Sequence, residues 1–266
     1  MTYYPTIRQT FRLLGFLILM TLLFSFSLKL IDNLLFDIND SLMNFLSYSL
    51  PTIITTHRYL KKRRKLNADN YTIKINNTSW LIYVQIVILT VMMIVIIDPI
   101  TVLIPVPDWL DELMSKMVSK DIYSFMTIVL FAPIFEELIF RGIILDGYLK
   151  VYSPRKSIIC SSLLFALIHL NPWQAINAFL IGLFIGWVYY KTQSIIPCIL
   201  IHFTNNVIAF LIFMFSTSNA SSISDLIANK MIYISLIVSL SVLFYFGIRF
   251  LNRQFNKVYT QHTITI

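Results

Sequence analysis

The sequence predicts an all-α, polytopic membrane bundle of about eight transmembrane helices, with both termini in the cytoplasm. Three observations predict it. Of 266 residues, 57% are hydrophobic and only 13% charged, and the mean hydropathy is +0.74. Soluble domains average about 45–50% apolar and about 25% charged residues. Eight apolar runs approach the length of about 20 residues that crosses a bilayer. The basic residues also fall almost wholly on alternate connections between those runs. This balance excludes a soluble globular enzyme, a disordered tail and a disulfide scaffold. Six Gly and nine Pro exclude fibrous and low-complexity classes.

The first run, residues 13–31, follows Arg8 and Arg12 as a signal peptide would. It has no small-x-small cleavage site and more spans follow, so it reads as a retained helix. The second, 41–57, is more polar and leads into HRYLKKRRK at 57–65. The third is 80–98, and a polar loop over 98–121 with Pro99, Pro105 and Pro107 follows. The fourth run is 122–145, the fifth a short 157–171, the sixth 173–190, the seventh 194–215 and the eighth 231–248. No internal repeat and no soluble domain is visible, so 1–266 reads as one transmembrane domain. Cys160 and Cys198 both lie in apolar runs, which argues against a disulfide framework.

With the N-terminus inside and eight alternating helices, 16 Lys and Arg fall on cytoplasmic segments and four outside. Arg141 stays within a span. The net charge of +8 therefore has a topological origin. The 57–65 run reads as a cytoplasmic anchor against anionic lipid, not as a nucleic-acid site. Membrane lipid is thus an expected partner and nucleic acid is not.

Ionisable groups inside a bilayer cost several kcal/mol unless paired or near water, so each marks a functional hypothesis. The chain has three Glu and four His; Glu136, Glu137, His169 and His202 all fall in predicted spans. Glu137 and Arg141 are four apart on a helix and can pair as a structural brace. Glu136 is rotated about 100° from Glu137 and can point elsewhere. Phe165 and His169, and likewise His202 and Asn206, share the four-residue spacing. Phe165 reads as packing, and Asn205 competes with Asn206 for the inward position. At about 1.5 Å per residue, Glu136 lies about 15–18 Å from the cytoplasmic end, His169 about 18–20 Å and His202 about 12–14 Å. All three fall near the midplane of a core about 30 Å thick. A lone membrane histidine is ordinarily a satisfied helix–helix hydrogen bond. Three polar intrusions at matching depth are harder to explain as packing.

Such a cluster supports water activation. A glutamate in an apolar cavity becomes a usable base, a histidine orients the water, and a second histidine with an amide donates to a developing oxyanion. Alternatively, Glu136, His169 and His202 hold a divalent metal such as zinc with one open position. HExxH is absent. These residues leave both alternatives open.

In chain order, Glu136-Glu137-x-x-x-Arg141, Phe165-x-x-x-His169 and His202-x-x-x-Asn206 resemble the three motifs of the CPBP family. These are CAAX proteases and bacteriocin-processing intramembrane proteases, also called Abi. The resemblance covers about 122–215; the spans over 13–98 and at 231–248 carry no matching motif. It implies that Glu136 acts with His169 on water, that His202 and Asn206 form the oxyanion hole, and that Glu137 and Arg141 support the site. Family members are usually described as metalloproteases, and a metal-free glutamate mechanism has also been argued for them. The family's cavity is reached from the cytoplasmic side or through a lateral gap between helices. Substrates range from prenylated CAAX proteins to bacteriocin or signalling peptides. The small chain without soluble domains is similar to bacterial members in the plasma membrane. Two competing readings remain at this level: a non-catalytic immunity or scaffold protein on the same fold, and a proton-coupled transporter using membrane Glu and His as a relay.

Overall fold

The computed structural model describes residues 3–35, 37–66, 71–104, 107–215, 223–227 and 229–264; Pro105 lies outside them. Every element among these residues is helical. α1 (Ile7–Leu34) packs on α2 (Asp40–Leu66), and α3 (Trp80–Val102) leads to a short amphipathic α4 (Asp108–Met117). α5 runs unbroken over 122–148. α6 (Pro154–Leu167), α7 (Pro172–Thr192) and α8 (Ile195–Phe215) follow, then a single turn, α9 (Ile223–Leu226), and α10 (Lys230–Ile264). The loop expected over 98–121 is therefore partly helical, because α3 continues through Pro99 and α4 occupies much of the remainder.

Five of these helices, α1, α3, α7, α8 and α10, are long and apolar enough to cross a membrane. Their outward faces are apolar: Leu22 and Phe26 on α1, and Met231 and Phe246 on α10, are exposed. α2 is built the other way round. Its buried face carries Ser47, Thr52, Thr55 and Thr56, while Leu50, Ile53 and Ile54 face outward. In lipid that arrangement is favourable, since polar side chains find partners inside the bundle.

α5 holds the centre and two apolar clusters flank it. Ile139, Phe140, Ile143 and Ile144 pack with Leu13, Leu14, Leu164 and Phe165 on one side. Leu145 joins Ile82, Ile86, Ile181, Ile185, Val188 and Ile201 on the other. Along α5 the hydrogen bonding changes to a π pattern over Met126–Phe131 and again over Leu138–Leu145. Pro133 accounts for the first change. It has no N–H and its ring crowds the carbonyl one turn back. Ala132 donates to Thr127 O, so the Ile128 carbonyl has no helical partner: its α-type donor is diverted and its π-type donor is a proline. In the second π stretch the Asp146 N–H donates to Arg141 O and Ile143 O and passes over Gly142 O.

Side chains reach the carbonyls at this slip. Arg63 Nη1 donates to Gly142 O at 2.5 Å and to Ile143 O at 2.6 Å, and the Tyr71 hydroxyl also donates to Gly142 O. Arg63 pairs with Asp146 and lies over the Tyr71 ring at 3.8 Å. Lys74 reaches the same carboxylate at 2.6 Å, and the Tyr189 hydroxyl donates to it at 3.0 Å. Arg63 is 0% exposed, which corrects the lipid-anchor reading at that position. Arg58, Lys61, Lys62, Arg64 and Lys65 in the same run are exposed and remain able to meet lipid. Burial alone would raise the Asp146 carboxyl, but Arg63, Lys74 and Tyr189 outweigh it and hold the group below the usual carboxylate value. Burial pushes the Tyr71 phenol up to about 12.

Candidate active site

The six residues Ala132–Glu137 between the two π stretches carry the paired glutamates. Their side chains diverge. Glu137 is fully buried and its Oε1 accepts from Arg141 Nη1 at 2.9 Å and contacts His202 Nδ1 at 2.9 Å. Glu136 turns to a cavity of about 500 Å³, with 18% of its side chain exposed. Its Oε1 accepts from the Tyr48 hydroxyl at 2.7 Å. Its Oε2 is buried without a hydrogen-bond partner and stands 3.9 Å from His202 Nε2.

Arg141 continues from Glu137 to Gly182, donating from Nη2 to the carbonyl at 3.1 Å. Its guanidinium lies 4.6 Å from the Phe165 ring. Phe165 meets His169 and His202 edge-on, with centroids 5.0 and 5.5 Å apart. Phe165 is thus the plate between the two imidazoles, a specific form of the packing role expected for it. A Cβ on Gly182 would stand 3.2 Å from Ser162 Cβ and 3.3 Å from Arg141 Nη2 and from Phe165. Replacing Gly182 with Ala should cost about 1–3 kcal/mol by overpacking. A lowered melting temperature in detergent checks it.

His169 does not lie within a helix. α6 stops at Leu167, and His169 sits in the following turn, before Leu170 at φ 54°. The stop is local: the residue before Pro172 avoids helical geometry, and Pro172 opens α7. The expected 157–171 helix was too long for that reason. The four-residue relation survives as a cap, since His169 Nδ1 lies 2.8 Å from Phe165 O. A carbonyl only accepts, so Nδ1 carries the hydrogen and the neutral ring keeps its lone pair on Nε2. The same logic holds for His202, whose Nδ1 faces the Glu137 carboxylate. Glu137 therefore does more than brace α5; it sets the tautomer of His202.

Asn206 donates from Nδ2 to the orphaned Ile128 carbonyl at 2.8 Å, and its Oδ1 accepts from Asn205 Nδ2 at 3.0 Å. Both amides line the cavity, so the choice between them dissolves: one presents, the other orients. One N–H of Asn206 Nδ2 is left over. Glu136, Phe165, His169, His202 and Asn206 all border this one cavity, whereas Glu137 and Arg141 lie behind it. Among the described residues no three His, Cys, Asp or Glu side chains stand close enough to hold a metal ion. Both Nδ1 atoms are engaged, and Glu137 Oε1 is taken twice.

Tyr48 was not anticipated, because its span carries no matching motif. The signal was a polar stripe at Ser41, Asn44, Tyr48 and Thr52, spaced for one helix face. Replacing Tyr48 with Phe removes a hydrogen bond to a carboxylate, worth about 2 kcal/mol. A lowered melting temperature of Tyr48→Phe in detergent checks it.

Residues 118–208 match the model of the type II CAAX prenyl endopeptidase Rce1-like family. The matched segment agrees with the CPBP resemblance. It spans α5 to α8 and so contains all three motifs, each on the wall of the cavity or directly behind it. No curated protein and no solved structure gave a match. The match is to CAAX-protease-type enzymes, and the five apolar helices suit a multi-pass membrane protein.

Proposed function

We propose that this protein is an intramembrane endopeptidase that hydrolyses a peptide bond of a membrane-associated peptide or protein with a water activated at Glu136. The observation that carries the proposal is Glu136 on the cavity wall, with an Oε2 that has no hydrogen-bond partner and stands 3.9 Å from His202 Nε2. A water hydrogen-bonded to that oxygen has a base on one side and an imidazole lone pair, His169 Nε2, on the same cavity. Glu136 takes the proton as the water oxygen attacks the carbonyl carbon. The oxyanion that forms is met by the spare N–H of Asn206 and by His202 Nε2 when that ring is protonated. Glu137 supports the protonated ring through Nδ1. The proton held by Glu136 then passes to the leaving amine.

The donor arrangement of the described residues does not suit a three-ligand metal site, and no step here runs through one. Activity should therefore survive a strong chelator, checked by assaying protein dialysed against it. The substrate belongs to the class of membrane-anchored or lipidated peptides, including bacteriocin-type and prenylated ones, and the setting is a plasma membrane. Purified wild type and Glu136→Ala, presented with a mixed library of such peptides and read by mass spectrometry, test the proposal. Cuts made only by the wild type support it. A variant that cuts as well as the wild type removes it.

A further inference from the structure

The cavity extends to one side of the glutamates only. On α5, which descends towards Glu136, its wall includes Ser124, Thr127 and Ala132 and nothing beyond Glu136. On α8, which runs the opposite way, it includes His202, Asn206 and Ala209. On α2 it begins at Ser41 and ends at Tyr48. Met117, Gln174 and Ala209 are wall residues that are also exposed, and they mark the rim at the same end.

The other side is closed. Below Glu137, Ile139, Phe140, Ile143, Ile144 and Leu145 are each at most 1% exposed. Beneath them lies the buried Arg63–Asp146 pair with Lys74, Tyr71 and Tyr189. The surface beyond that network carries Arg58, Lys61, Lys62, Arg64 and Lys65, the richest basic cluster of the chain. The distribution of 16 basic residues on that side against four on the other makes it the cytoplasmic side.

From these positions we infer that the catalytic cavity is open to the extracytoplasmic face and sealed from the cytoplasm, so that the scissile peptide is drawn from outside or from the outer leaflet and not by the cytoplasmic route that the family resemblance implies. This rests on the protease reading for its meaning, but not for its geometry. The wall suits such a cargo. Asn44, Ser47, Thr127 and Asn177 offer groups that both donate and accept, with no lysine or arginine among the described wall residues. An extended peptide brought to the middle of a bilayer must have its backbone groups satisfied, and such side chains can do that.

The test is sided cysteine labelling of the full chain in a Cys160→Ser, Cys198→Ala background. Thr127→Cys and Asn44→Cys place a thiol on the wall at two heights; Lys61→Cys and Leu113→Cys report the two surfaces. A membrane-impermeant maleimide is applied to one face of sealed vesicles at a time. Both wall thiols should label from the extracytoplasmic face, together with Leu113→Cys, and show no labelling from the face that labels Lys61→Cys. Wall labelling from the cytoplasmic face, from both faces or from neither overturns the inference. Peptide cleavage is assayed separately. Cleavage with cytoplasmic labelling would sink the inference alone, and extracytoplasmic labelling without cleavage would sink the protease reading alone.

Discussion

Replacing Glu136 with Gln should lower peptide cleavage by about 10²–10⁴-fold, the usual contribution of a positioned base. The substitution keeps the shape of the side chain and an oxygen that can still accept from Tyr48. It removes the charge and the ability to take a proton from water. Glu136 is partly exposed to the cavity and makes no ion pair closer than the 3.9 Å approach to His202. The fold should therefore survive, with a melting temperature near that of the wild type. Glu137→Gln makes the contrast. Glu137 is buried between Arg141 and His202, and the change leaves Arg141 without its carboxylate and His202 without its anchor. That variant should lose stability as well as activity. Kinetics and thermal melting measured on both variants separate the base from its support.

Replacing Arg63 with Ala should destabilise the bundle by about 3–5 kcal/mol, the range for breaking a buried ion pair by removing one partner. Arg63 is the link between α2 and the second π stretch of α5. It satisfies Gly142 O and Ile143 O and neutralises Asp146, all in an environment with almost no exposure. Lys74 remains near Asp146 and softens the loss without reaching the two carbonyls. Acid should weaken the same joint. The folded Asp146 carboxyl lies below its usual value, so the unfolded chain binds more protons as pH falls. The stabilisation is complete above about pH 4, near the ordinary aspartate value, and is lost as pH falls through the lower folded value. Melting temperatures of wild type and Arg63→Ala across that range check both statements.

The helical membrane class was legible because it rests on summed hydropathy and on the sidedness of charge, which need no tertiary contact. Glu136, His169, His202 and Asn206 were legible as candidates because polar residues in apolar runs stand out. Two things were not. The end of α6 before His169 depends on Pro172 and on a single residue at positive φ, and hydropathy does not register either. The burial of Arg63 depends on Gly142 O, which the Asp146 N–H passes over where the hydrogen bonding of α5 slips, and on Ile143 O beside it. Within HRYLKKRRK nothing distinguishes Arg63 from Arg64. Tyr48 lay between these cases, visible as part of a polar stripe but not as a partner of Glu136 until α2 is placed against α5.

The central claim is that water, activated at Glu136, attacks a peptide carbonyl. The most direct measurement is cleavage of a membrane-anchored peptide library by the reconstituted protein in oxygen-18 water, with the products read by mass spectrometry. The wild type should give new C-termini that carry the heavy oxygen, and Glu136→Gln should give about 10²–10⁴-fold fewer of them. Equal incorporation by Glu136→Gln would contradict it.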